Sequence, residues 1–127
     1  MATDPLDVQS VANEPGAETP WRGVEGGTVI GHVHLHVSHL QTGEAFFCGE
    51  VGFEPTVRSY PGALFVAAGG YHHHLGMNTW VGTGAPPPPE NAVGLRSFTV
   101  ESTAVLPAER FDQSTRATVQ VRRLPPA

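Results

Sequence analysis

Two histidine-bearing runs constrain this chain most: Gly31-His32-Val33-His34-Leu35-His36-Val37 and Ala68-Gly69-Gly70-Tyr71-His72-His73-His74-Leu75-Gly76-Met77-Asn78-Thr79-Trp80. Together they hold six of the seven histidines. Both runs alternate with the period of a β-strand, on which neighbouring side chains point to opposite faces. In the first, His32, His34 and His36 share one face and Val33, Leu35 and Val37 the other. In the second, His72, His74, Gly76, Asn78 and Trp80 face one way, and His73, Leu75, Met77, Thr79 and Val81 the other. His73 is therefore expected to be structural. The apolar faces need a helix layer against them, which leaves the imidazole faces to line a concave surface. A single strand histidine is most often a hydrogen-bonded structural residue, but a row of imidazoles is costly to bury without metal, water or carboxylate partners.

At 127 residues the chain is the size of one domain with a real core. A net charge of −5 argues against a nucleic-acid partner, which would require a basic stripe. No apolar run approaches the roughly 20 residues of a membrane helix. Cys48 is the sole cysteine and cannot form an internal disulfide, which suits a reducing cytoplasm.

In chain order, residues 1–27 are acidic and rich in proline and glycine, the composition of a flexible arm or linker, with Trp21 as its expected docking point. Residues 28–38 read as a first strand. A helix follows, with Thr42 as N-cap, Glu44 in the first turn, Phe46, Phe47 and Val51 on the apolar side, and Gly52 as the C-terminal glycine. Three more strands are expected over 53–59, 63–68 and 71–81, separated by Tyr60-Pro61-Gly62 and Gly69-Gly70 turns. The order is β, α, β, β, β. Four consecutive prolines, Pro86 to Pro89, make 82–93 a stiff connector. A fresh strand begins near Gly94, one helical turn is expected after Pro107, and residues 115–122 alternate as a closing strand.

A βαβββ unit with polar ligands on its first and fourth strands resembles the vicinal oxygen chelate superfamily, which includes glyoxalases, bleomycin-resistance proteins and extradiol dioxygenases. The segments GHVHLHVS, Phe46-Phe47, Val51-Gly52-Phe53, AGGYHHHLGMNTW and GTGAPPPPENAVGLRSFTV together resemble the C-terminal half of catechol 2,3-dioxygenase-like proteins. The resemblance implies an α+β fold: a complete first unit over 28–81, the connector 82–93, and a shortened second unit over 94–124. These would form one domain over 28–127 with a cup-shaped mixed sheet, completed by dimerisation or by a partner N-terminal module. It also implies a divalent metal, Fe(II) first, with Mn(II), Zn(II) or Ni(II) as alternatives.

By position, the resemblance assigns His32 and His74 as metal ligands. Ser97 and Gln120 stand where the second unit normally supplies its ligands, and Gln120 is the expected third, although a neutral amide holds a divalent ion weakly. Glu101 is an outside candidate for a carboxylate. His36 and His72 are the expected proton carriers, and His34, Asn78, Trp80 and Phe98 the expected substrate contacts. The implied function is a cytoplasmic, metal-dependent, extradiol dioxygenase-like oxidoreductase acting on a small aromatic, catechol-like molecule, with neither nucleic acid nor membrane as partner. The alternative is a non-catalytic small-molecule-binding module of the bleomycin-resistance type. A third reading is a structural half that supports a catalytic partner.

Overall fold

The computed structural model describes residues 4–125 except 105 and 114, so the extreme ends of the expected arm and tail lie outside the described residues. The elements are α1 (Val8–Ala12), β1 (Val33–His36), α2 (Leu40–Glu44) continued by a π-helical turn (Ala45–Glu50), β2 (Glu54–Val57), β3 (Ala63–Ala67), β4 (Leu75–Asn78), β5 (Ser97–Ser102), β6 (Glu109–Phe111) and β7 (Thr118–Arg123). The result is a small α+β protein with two mixed sheets. One has the order β1-β4-β3-β2 and the other β5-β7-β6. No helix among the described residues is long and apolar enough to cross a membrane.

The first sheet is organised by its central pair. β1 runs parallel to β4, with Val33 opposite Leu75 and His36 opposite Asn78, while β3 pairs antiparallel with both β4 and β2. Parallel neighbours need a long crossover, and here α2, its π-helical continuation and the β2–β3 hairpin supply it. The two turns follow from their glycines. The Ala63 amide bonds the Tyr60 carbonyl around Pro61 and Gly62, and Gly62 has φ +66, as a type II turn requires at its third position. Gly69 and Gly70 both have positive φ, as a type I′ turn demands.

Leu35, Val37, Leu64, Val66, Leu75 and Met77 pack beneath Phe46, Phe47, Val51 and Phe53, and Phe47 is completely buried. The second sheet joins this core through Val119, with Phe98 and Val100 packed against it. It repeats the parallel-then-antiparallel pattern of β1, β4 and β3 without a helix: β5 is parallel to β7, and β6 is antiparallel to it.

Several local expectations are corrected. α2 begins one turn early, capped at His39 without a side-chain hydrogen bond, so Thr42 lies inside the helix. Gly52 does end the helical segment, at φ +95. The helical turn expected after Pro107 is the short strand β6, because an edge of β7 is available to pair with it. Trp21 is 80% exposed, so it does not dock the arm; among its described residues the arm forms the short helix α1, where Asp7 accepts a hydrogen bond from the Ser10 amide.

Close packing makes Gly43 a sensitive position. A Cβ there would stand 2.7 Å from Met77 Sδ and 3.4 Å from a Val37 methyl. Gly43→Ala gains helix propensity but overfills the contact between α2 and the sheet. We expect a net loss of about 1–3 kcal/mol in denaturant unfolding, and a Gly43→Ala chain as stable as the parent would contradict this packing.

Candidate functional site

β4 begins at Leu75 rather than at Tyr71. Residues 71–74 follow the type I′ turn as a bent approach to the strand, so strict alternation does not hold across the three histidines. His74 keeps the backbone ladder, donating its amide to Val66 and accepting from the Val33 amide. His73 is turned onto the open face of the sheet and buried there, with ring centroids 5.0 Å from Phe65, 4.6 Å from His32, 5.5 Å from His34 and 4.5 Å from His72. This overturns the expectation that His73 faces away from the other imidazoles.

The consequence is a cluster of imidazoles at the N-terminal end of β1. Ring nitrogens of His32, His72 and His73 lie within 4.8 Å of one another. Two nitrogens bound to one tetrahedral ion at about 2.1 Å stand about 3.4 Å apart, so the set must contract slightly to close on a metal. His72 is exposed, whereas His73 is buried. His73 Nε2 is buried without a hydrogen-bond partner among the described residues. Leaving such an atom unpaired costs about 1–3 kcal/mol, and an ion at the triad would satisfy it. The electrostatics favour the ligand form of imidazole. Burial, reinforced by His32, His72, His34 and His74, pushes the His73 pKa below its ordinary 6.5. Burial and then His32 push His34 down as well. The residues fit a divalent cation.

His32 and His74 both line a hollow of about 710 Å³ between the sheets, together with Phe53, Ser97, Phe98 and Glu101. The His74 ring stacks on Phe53, and its Nδ1 accepts from the Ala68 amide. His34 lies over Gly76, where any Cβ would approach its ring to within 2.8 Å, and edges Phe65. His36 and Asn78 sit further along the same face, with Nδ1 and Oδ1 2.6 Å apart. Trp80 is drawn away to the β2–β3 turn: its indole N–H donates to the Pro61 carbonyl.

Gln120 is not brought to the imidazoles. It stands on β7 beside Thr99, in a separate surface depression with Val121 and Arg122, and does not line the hollow. Glu101 reaches the hollow's wall but is ion-paired to Arg122. Sequence reasoning missed His73. The one available signal was that three successive histidines after a Gly-Gly turn cannot all obey a strand's alternation.

In sequence, this mixed-sheet α+β chain with its histidine-rich pair of strands resembles the catechol 2,3-dioxygenase-like proteins of the vicinal oxygen chelate superfamily. It is similar to the catechol-2,3-dioxygenase of Bacillus subtilis (strain 168), 47% identical over 102 residues, a match that takes in 79% of this chain and 35% of that protein. The match falls in the relative's C-terminal part, so the chain spans about one third of the relative's length. No family model and no solved structure matches the chain.

The depressed His73 pKa has a thermodynamic consequence. Well above pH 6.5 the ring is uncharged in both folded and unfolded chains, and the folded state keeps its full stability. As pH falls below 6.5 the unfolded chain takes up the proton first, so stability is lost until the folded pKa is passed. Chelator-treated protein should therefore show a falling denaturation midpoint below pH 6.5, and His73→Phe should flatten that slope. An equal slope in both proteins would contradict the burial of His73.

Proposed function

We propose that the chain carries the metal centre of an extradiol-type dioxygenase that acts on a catechol-like substrate. The observation that carries this reading is the buried Nε2 of His73, without a hydrogen-bond partner among the described residues, standing beside His32 and His72, in a chain similar to a catechol-2,3-dioxygenase. His32, His72 and His73 would hold a divalent ion, Fe(II) by kinship, with Mn(II), Zn(II) or Ni(II) able to occupy the same donors. When bound, it would supply Lewis-acid polarisation of vicinal oxygens and open positions for dioxygen.

The rest falls to the protein. His73 fixes one ligand position rigidly because it is wedged among Phe65, His34 and His72. His34 has its ring centroid 5.0 Å from that of His32 and is the nearest imidazole outside the triad on the open face, so a ring nitrogen there is placed to accept a proton from a substrate hydroxyl. His36 is four residues from His32, about 13 Å along an extended chain, which is beyond the roughly 3 Å of a proton transfer at the triad. Proton handling is therefore assigned to His34 rather than to His36. The open face around Tyr71 and Trp80 is exposed, and we propose that a second copy of the chain or a separate module covers it.

The non-catalytic alternative, a module that only binds a small aromatic, has one observation in its favour: Glu101, the carboxylate lining the hollow, is neutralised by Arg122.

Metal analysis separates the ligand assignments. Purified chain loaded anaerobically with Fe(II) should retain about one equivalent after desalting, and His32→Ala and His73→Ala should each retain less than about a tenth, as expected when a metal ligand is removed. His74→Ala should keep its metal. Loss in His74→Ala with retention in His73→Ala would replace the triad by the His32/His74 pair. Oxygen uptake matched one-to-one to catechol consumption by the loaded chain would establish turnover; binding without uptake would select the alternative.

A further inference from the structure

A second polar device lies on the same sheet face, away from the triad. Asn78 is 95% buried, and its side-chain oxygen accepts from the Trp80 backbone N–H at 3.3 Å. A backbone N–H can donate only to the amide oxygen, so this contact fixes which way the Asn78 amide is turned. The same oxygen stands 2.6 Å from His36 Nδ1. An oxygen offers no proton, so His36 Nδ1 must carry the hydrogen and donate it. In its uncharged form His36 is thus held as the Nδ1–H tautomer, with the lone pair on Nε2, while the ring as a whole remains exposed.

His36 and His34 line one groove of about 390 Å³, whose other walls include Val81, Ala85, Pro86 and Leu95. Pro86 and Ala85 belong to the proline-rich connector, which is tied to the end of β1 by the Ser38 hydroxyl on the Ala85 carbonyl and by the Gly84 amide on the Ser38 carbonyl. The groove therefore has the imidazole nearest the triad and the His36 ring on its lining, with apolar walls beside them.

We infer that this groove is a specificity site for the far end of the substrate, and that Asn78 is a positioning residue that sets the His36 tautomer. The inference rests on the catechol-binding reading above and names the substrate class within it. A catechol held at the triad by its vicinal oxygens sends substituents on the opposite ring edge into the groove. About 13 Å of strand separates His32 from His36, too far for a bare ring and suited to a ring carrying a short side chain. The apolar walls take an alkyl linker, and Nε2 accepts from a hydroxyl at its end. The substrate class is a catechol with a short hydroxyalkyl arm.

The first arm of the test needs neither metal nor turnover. Ring-nitrogen NMR of the nitrogen-15-labelled, metal-free full chain at pH 8 should show His36 as the Nδ1–H tautomer. Asn78→Asp, which still accepts from both partners, should preserve it, and Asn78→Leu should release it to the Nε2–H form. A wild-type His36 in the Nε2–H form would overturn the inference, whatever becomes of the buried Leu variant.

The second arm is calorimetric binding of two near-isosteric catechols to the metal-loaded chain without oxygen, one bearing a propyl group and the other a hydroxyethyl group. The wild type should favour the hydroxyethyl compound, and His36→Phe should lower that preference about three- to tenfold, the ratio expected for one net hydrogen bond. Equal preference in wild type and variant would overturn the specificity site alone. Failure of the wild type to bind either catechol would overturn the catechol reading and this inference with it.

Discussion

The parallel pairing of β1 with β4 is the contact on which the site depends. Val33 donates to the His74 carbonyl and Val37 to the Asn78 carbonyl, so the two histidine runs, about forty residues apart, lie side by side in a fixed register. A slip of one residue would invert every side chain on β4 and carry Leu75 and Met77 out of the core. The register is enforced from both faces. Leu35, Val37, Leu75 and Met77 are locked under the helical layer, while Gly76 leaves the space that the His34 ring occupies on the other side.

The same pairing sets the electrostatics. Four imidazoles, His32, His34, His72 and His73, gather at one end of the two strands, and burial, reinforced by neighbouring imidazoles, holds His34 and His73 below their ordinary pKa. Burial is the first cause at His73, whose Nε2 lacks a hydrogen-bond partner among the described residues, a cost that a satisfied structural histidine would not carry. The chain tolerates this because its stability comes from elsewhere: the five residues of β3 are all buried, and Phe47, Val66, Leu75, Met77 and Val119 fill the interior. A rigid apolar base thus supports a polar cluster that a metal ion would complete. The second sheet contributes the opposite wall of the hollow through Ser97, Phe98 and Val100, but it brings no metal-binding carboxylate to the cluster, since Glu101 is engaged by Arg122. What the two sheets share is an apolar seam, and what distinguishes the first is its face of imidazoles.

Much of this architecture could be read from residue order. The alternation of Val33, Leu35 and Val37 with histidines, the turn glycines at 62, 69 and 70, and the terminating Gly52 gave the element sequence and its polarity, because period and left-handed backbone are local properties. The placement of His34, His36 and Asn78 on a common face followed from the same rule, and kinship pointed to His32. Strand lengths were overestimated, since a strand extends only as far as a partner bonds it, and Thr42 was misassigned as a cap because capping depends on where the preceding turn delivers the chain.

What the sequence alone determined was therefore a β-rich α+β chain with a histidine-bearing sheet face and a family likeness. Only the tertiary structure decided which imidazoles meet. The entry of His73 into the cluster, the diversion of Trp80 to Pro61, the isolation of Gln120 on β7 and the bond that fixes His36 against Asn78 all depend on where β4 starts and on what packs across it. Periodicity describes a strand once it exists, whereas its first residue is set by pairing with distant segments, and here a displacement of four residues separates a structural histidine from a metal-site candidate.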